Sequence, residues 1–297
     1  MLKRRIKWDE KTAVVTGSGS GIGRAVAIAM AKKGTTVHLV DLRPERIAAM
    51  VDELSLDTNI CGHTIDVTIP EQLEQLAASL RGKVDILINC AGILHQGKLA
   101  TTTNKELRQV MDVNLWGVIN SIKAFLPQMS DRQQGGHIIN IASIAGLIGA
   151  PEMSLYNASK YAILGLSESL AIELAANKIQ VAAVCPGSVN TNLSRDGLFL
   201  SDSTVAQTLH KAIHNGVHPD RVALDIIRVI ESSSSFKLSC VELRWQILWL
   251  CKRIFPSLYP RFASILYHQV VDKGLLDLFL RLKIYLSKLP NRYKIEN

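Results

Sequence analysis

Four glycines in seven residues, Gly17-Ser18-Gly19-Ser20-Gly21-Ile22-Gly23, constrain this chain more than any other stretch. The run follows Thr12 to Thr16 (TAVVT), a short β-branched segment that reads as a buried parallel strand. It precedes an apolar-periodic segment, residues 24–33, that reads as a helix. In that setting the glycines permit a tight turn. They also let backbone N–H groups approach a pyrophosphate seated on the helix N-terminus. An ordinary strand-to-helix loop is the plainer alternative.

A second strand, residues 36–40, runs into Asp41. A carboxylate there can accept hydrogen bonds from adenosine ribose hydroxyls and would repel a 2′-phosphate, which favours NAD(H) over NADP(H). Arg43, two residues on, is a counter-signal because it could reach a phosphate, so NADP(H) stays open. Ser18 and Ser20 add no basic group to the glycine loop. Asp41 would alternatively serve as a helix N-cap or a surface loop charge.

The alternation continues along the chain. Residues 45–54 and 70–80 read as helices, and residues 59–65 and 84–88 as strands. The strands end at Asp66-Val67 and at Asn89-Cys90-Ala91-Gly92. Residues 104–125 read as one long helix, with Asn114 as a polar residue in an apolar run. Either a functional role or an interhelical hydrogen bond would explain it. After a polar turn at residues 132–136, a strand at residues 136–142 delivers Ser143. A helix follows at residues 156–176, then a strand at residues 179–185 closed by Pro186-Gly187. This pattern predicts an α/β fold: a doubly wound, Rossmann-type parallel sheet of about seven strands with helices on both faces. Asp66 and Asn89 fall at strand C-terminal ends, where such sheets bind ligands. Cys90 reads as a small packed residue. His95 could face a substrate, but as a lone histidine it reads as a surface loop residue.

Tyr156 and Lys160 lie four apart in the stretch Tyr156-Asn157-Ala158-Ser159-Lys160, which puts both on one helix face. A phenol near an ammonium is a more acidic proton donor. With the Ser143 hydroxyl arriving from a strand end, the set suits proton transfer at an alcohol or carbonyl oxygen. The pair alone is a weak signal, because Tyr-x-x-x-Lys is common in helices.

Taken in order, these residues resemble the short-chain dehydrogenase/reductase family in its compact, single-domain form. The resemblance covers roughly residues 12–191 and extends more weakly to 231. It rests on Thr16-Gly17-x-x-x-Gly21-Ile22-Gly23, Asp41, Asp66, Asn89-x-Ala91-Gly92, Asn114, Ser143, Tyr156-x-x-x-Lys160 and Pro186-Gly187-x-Val189-x-Thr191. The usual Asn-Asn-Ala-Gly reads Asn-Cys-Ala-Gly here, a change in a turn. The resemblance implies Tyr156 as general acid/base and Lys160 as the residue that lowers its pKa and bonds the nicotinamide ribose. It implies Ser143 as the carbonyl-orienting hydroxyl and Asn114 as the holder of a relay water. It further implies Thr191 on the carboxamide or a phosphate, Asp66 and Val67 on the adenine, and Asn89 to Gly92 on the cofactor floor. A homodimer or homotetramer is the implied assembly.

Composition bounds the rest. With 47% hydrophobic residues a large core is expected. The five cysteines form no C-x-x-C pair, which speaks for reduced thiols and against a zinc or other metal site. The basic N-terminus lacks an apolar h-region, and no run of 18 apolar residues occurs. Neither a secretory signal nor a spanning helix is therefore expected, and the location reads as cytoplasmic. Of the net charge of +8, an excess of seven falls in residues 237–297, with eleven Lys and Arg against four Asp and Glu. The nearly neutral body argues against a nucleic-acid partner.

Residues 192–217 read as a flap with an apolar underside. Residues 219–231 read as a helix, residues 232–235 as a linker and residues 236–241 as a last strand. Residues 243–255 and 273–289 are apolar and basic at helical spacing. They would pack on the core or a second subunit, lie on an anionic membrane surface, or form a lipophilic entrance. The organisation expected is a catalytic domain over residues 1–236 with a helical extension over 237–297 packed on it. The function expected is NAD(P)-dependent interconversion of an alcohol and its carbonyl, with a sterol, retinoid or long-chain type of substrate. A 3-oxoacyl thioester reductase and a nucleotide-sensing protein without turnover are the alternatives.

Overall fold

The computed structural model describes residues 6–54, 59–131, 135–199, 203–232, 236–240 and 242–273. Residues 274–289 of the apolar, basic stretch expected at 273–289, residues 233–235 of the linker expected at 232–235 and residues 132–134 of the turn expected at 132–136 lie outside them. In chain order the elements begin β1 (Thr12–Thr16), α1 (Gly21–Ala31), β2 (Thr36–Asp41), α2 (Pro44–Leu54), β3 (Ile60–Thr64), α3 (Pro70–Ser79), β4 (Ile86–Asn89) and β5 (His95–Gln96). They continue α4 (Asn104–Met111), α5 (Gly117–Asp131), β6 (Gly136–Ile141), α6 (Ser154–Glu173), β7 (Ile179–Cys185), α7 (Leu193–Asp196), β8 (Leu198–Phe199) and α8 (Thr204–His214). The last are α9 (Pro219–Ile230), β9 (Phe236–Cys240), α10 (Leu243–Ile254) and α11 (Leu258–Lys273).

Seven strands form one parallel sheet in the order β3-β2-β1-β4-β6-β7-β9. The strand order reverses between β1 and β4, and the C-terminal ends of those strands open the crevice where a ligand binds in such sheets. The expected doubly wound sheet is present. Its strands are apolar on both faces because helices cover both. Ala13, Val15, Ile86 and Ile88 point into one core with α1 and α9. Val14, Leu87 and Ile138 point into the other with α3, α5 and α6.

Three local departures matter. The helix expected over residues 104–125 is not continuous: a π turn, Asp112–Trp116, separates α4 from α5, and Asn114 sits in it. His95 is not on the surface. It is 1% exposed, in a strand whose register pairs it with Leu198 of β8. Residues 258–273, in which no helix was expected, form α11.

Candidate active site

The C-terminal ends of β1, β2, β4, β6 and β7 open into one cavity of about 1290 Å³, lined by residues from Gly17 to Tyr267. At one end the wall is Gly17, Ser20, Gly21, Ile22, Asp41, Arg43, Asp66 and Val67. Ala91, Gly92, Ser143, Tyr156 and Lys160 follow, with Pro186, Gly187, Val189 and Thr191 opposite. Most of the residues expected in the site therefore face a single space.

Four do not. Ser18 is buried, and its hydroxyl donates to Val40 O at 3.2 Å. Gly23 lies inside α1 behind the wall. Asn89 donates through Nδ2 to Asn140 Oδ1 at 2.8 Å, inside the sheet. Asn114 is fully buried and grips the loop after β4: Oδ1 accepts from Ile93 N at 2.8 Å while Nδ2 donates to Ile93 O at 2.9 Å. Its Nδ2 also lies 3.1 Å from Ser159 Oγ on α6. These contacts engage both ends of the carboxamide, so the interhelical reading of Asn114 has direct support. The π turn supplies the extra backbone that aims it.

The phosphate end is built by close backbone approach. Gly17 has φ +66°, and a Cβ there would sit 2.7 Å from the Ala91 Cα and N. The loop 89–92 thus lies directly on the glycine turn, held by Thr16 Oγ1, which accepts from Cys90 N at 3.1 Å and Ala91 N at 3.2 Å. Ser20 is the N-cap of α1, and its side chain makes no capping bond. The helix start at Ser20, Gly21 and Ile22 lines the cavity wall, a position suited to a phosphate. Asp41 accepts from Gly19 N at 2.9 Å and from Arg43 N at 3.0 Å, which fixes its carboxylate at the rim. Ordinary ligand pockets run to about 1,000 Å³. A dinucleotide with a second molecule beside it fits this larger space.

At the other end Ser143 caps a short turn, its Oγ accepting from Ala145 N at 3.1 Å. Burial pushes the Tyr156 phenol up to about 12, and the neighbouring Ser143 hydroxyl works against that rise. Burial brings the Lys160 amine down to about 8. Lys160 Nζ donates to Ile141 O at 3.0 Å and lies 5.7 Å from the Tyr156 ring centroid. Ser143 is the neighbour that works against the rise, and Lys160 lies beside the ring. Burial also raises the Cys90 thiol to about 12, in keeping with its reading as a packed residue.

The family described as short chain dehydrogenase matches residues 11–197. The chain belongs to the short chain dehydrogenases. It is an NAD(P)-dependent oxidoreductase of the type that acts on an alcohol or its carbonyl. A Mycobacterium tuberculosis chain named as an oxidoreductase, SadH, is 31% identical over 269 residues, 86% of this chain and 95% of its own. The 3-ketodihydrosphingosine reductase of Bacteroides thetaiotaomicron is 32% identical over 229 residues, 73% of this chain and 82% of its own. Among solved structures, a short chain dehydrogenase/reductase from Burkholderia phymatum in complex with NAD superposes with a TM-score of 0.78. It shares 28% identity over 86% of this chain and 96% of that one.

Beyond Tyr156 the wall of this short chain dehydrogenase comes from the flap and the tail. Leu209, Ala212 and Ile213 of α8 face Trp245 and Leu248 of α10 and Tyr259 and Tyr267 of α11. The tail is pinned to the loop that leads from Ser143 to Tyr156. Lys252 Nζ donates to Leu147 O at 2.7 Å, Tyr259 OH to Gly149 O at 2.6 Å and Tyr267 OH to Glu152 Oε1 at 3.1 Å. Lys252 also contacts the Tyr161 hydroxyl. Gly187 leaves room for the tail, since a Cβ there would fall 2.1 Å from Trp245 Nε1.

Glu152 is a buried hub beside the site that sequence reasoning did not single out. It is buried, at φ +57°, and its Oε2 takes Gln96 Nε2 at 2.6 Å and Ser203 Oγ at 2.7 Å. It thereby ties β5, the start of α8 and α11 together. A lone acidic residue in a loop carries no pattern that would have marked it.

Proposed function

We propose that this enzyme interconverts a lipophilic, long-chain type of alcohol and its ketone or aldehyde, with Tyr156 as proton donor and acceptor. The observation that carries the reading is the continuity of the cavity. The Ser143–Tyr156–Lys160 end opens, without changing space, into the apolar volume under α8, α10 and α11. An alkyl chain laid there would be worth about 25 cal/mol per Å² of apolar surface buried.

When bound, the nicotinamide dinucleotide supplies or accepts the hydride. In the direction of reduction, the Tyr156 O–H passes its proton to the carbonyl oxygen as the carbon gains the hydride. In oxidation the Tyr156 phenolate takes the hydroxyl proton instead. Ser143 donates to the same oxygen and holds it against Tyr156. Lys160 provides a fixed positive charge beside the ring and a donor toward the ribose. Asn114 acts by holding Ile93 and Ser159 in place, so its role is positioning. Asp41 receives the adenosine ribose hydroxyls, which makes NAD(H) the favoured cofactor, and the complex of a related enzyme with NAD supports this.

Helices α10 and α11 serve as the roof of the substrate space and as a contact for anionic lipid. α10 turns Leu243, Ile247, Leu250 and Ile254 outward, each more than half exposed. α11 adds Leu258, Phe262 and Ile265, and exposed Arg253 and Arg261 flank them. Apolar residues with basic neighbours on one face suit a membrane interface. No helix among the described residues is long and apolar enough to cross a membrane.

A second reading has its own support. A 3-oxoacyl-[acyl-carrier-protein] reductase of Thermotoga maritima is 32% identical over 193 residues, 64% of this chain and 78% of its own. One experiment separates the two. Turnover is measured on free ketones of increasing chain length and on acyl-carrier and coenzyme A thioesters of the same chains. The proposal expects kcat/KM to climb with chain length on free ketones and to fall when Trp245 is replaced by Ala. Turnover of thioesters alone would favour the second reading, and efficient turnover of small polyols alone would remove both.

A further inference from the structure

We infer that Asp196 sets cofactor choice by holding Arg43 and Arg46 away from a 2′-phosphate. The inference rests on the reading that Asp41 receives the adenosine ribose. All four side chains line the same end of the cavity. Asp196 ends α7, on the flap, and is 150 residues or more from the arginines in sequence. Its Oδ2 accepts from Arg46 Nη2 at 2.8 Å and its Oδ1 from Arg43 Nη2 at 3.1 Å. Arg46 also reaches Ser20 Oγ at 3.3 Å, at the start of α1. One carboxylate thus occupies a guanidinium N–H from each arginine and offsets one of the two positive charges on the basic side of the rim.

The consequence follows from charge. A phosphate monoester carries nearly two negative charges at neutral pH and binds best to a guanidinium fork. At this rim it would meet the Asp41 carboxylate, and it would compete with Asp196 for both arginines. Ribose hydroxyls need neither arginine, because they donate to Asp41. A sequence carrying both an acidic and a basic cue after β2 therefore acts as an acidic one, because the basic cue is already spent on the flap. The bridge also joins the flap to the start of α2, so the cofactor groove is closed by the same contact that selects its occupant.

The test is direct binding, with NADH and NADPH titrated against the full chain by fluorescence. Asp196→Asn keeps the shape and removes the charge, and Asp196→Ala serves as a second variant. The expected result is NADPH binding about tenfold tighter in both, with NADH held within about threefold. The gain should be larger at low ionic strength and should vanish when Arg43 and Arg46 are also replaced by Ala. Unchanged NADPH binding, or equal tightening of both cofactors, overturns the inference. Asp41→Ala, run alongside, separates the two failures. If it weakens NADH while Asp196→Asn leaves the NADH to NADPH ratio alone, only the role of Asp196 is wrong. If NADH binding ignores Asp41→Ala, the ribose reading is wrong and the inference falls with it.

Discussion

Tyr267 donates its hydroxyl to Glu152 across 115 residues of sequence, at 3.1 Å, and so fastens the last described helix to the loop that leads into Tyr156. Glu152 gathers the flap through Ser203 and the short strand through Gln96 by the same carboxylate. Removing it takes away the acceptor that Gln96, Ser203 and Tyr267 share, and a hydrogen bond to a charged group is worth about 1.5–3 kcal/mol. Glu152→Ala should therefore lower the melting temperature by several degrees, roughly 2–4 °C per kcal/mol for a chain of this size. Tyr267→Phe should cost less and raise KM more than it lowers kcat. A thermal melt beside steady-state kinetics reads both, and an unchanged melt for Glu152→Ala would mean the network is slack.

Tyr156→Phe removes the transferable proton and leaves the ring in place. Turnover should drop by about 10²–10⁴-fold, the usual worth of a positioned acid or base, while NADH binding stays within about twofold. Loss of cofactor binding together with activity would show a structural role instead.

The rate should depend on pH through Lys160. Its amine loses charge near pH 8, whereas Tyr156 keeps its proton until about pH 12. Carbonyl reduction should therefore hold level up to about pH 8 and decline above it. A profile that stays level to pH 10 would show that the lysine charge is not needed. Stability carries the opposite slope in this window. An unfolded lysine binds its proton up to about pH 10.5, so between about 8 and 10.5 the unfolded chain holds more proton and this group adds stability as pH rises.

Buried histidines govern the acid side. Burial holds His38 and His137 at about 4, below the usual 6.5, and lowers His63, which stacks on His38. Below pH 6.5 an unfolded chain takes up protons that the folded one refuses. Their contribution is therefore whole above pH 6.5 and disappears as pH falls toward 4. The urea midpoint should drop steadily over that range, and less so in His38→Leu. A midpoint independent of pH there contradicts the burial of these rings.

The outer face of α10 should answer to charge. Replacing Ile247 and Leu250 by Glu is expected to halve, at least, the fraction pelleting with phosphatidylserine vesicles at low salt, with the melting temperature unchanged. Equal pelleting of the variant, or no pelleting of the natural chain, would remove the lipid contact from the proposal.

Much of the fold was legible because its signals are local. TAVVT and IQVAAVC are β-branched runs that can only be buried on both faces, and their strand bounds came out as expected. Ser143, Tyr156 and Lys160 were legible for the same reason, being set by a strand end and a helix spacing. What escaped depends on partners far away. The π turn at Asn114 exists because Ile93 and Ser159 claim its side chain, and nothing in residues 104–125 announces them. His95 disappears into the interior through pairing with Leu198, a hundred residues on. Arg43 stood as a counter-signal that could reach a phosphate, because its partner Asp196 lies 153 positions downstream. The helix at residues 258–273 was not expected; it carries Pro260 in its first turn, where proline is tolerated.

The absent side chain at Gly187 has a reach beyond its own turn. With Trp245 seated against that backbone, the cavity floor at Gly187 and the roof at α10 share one layer of atoms. A methyl group added there would push the roof and shift the floor in a single stroke. Cofactor grip and substrate range cannot then be tuned independently, and any bulkier residue at 187 would have to be answered by a smaller one at 245.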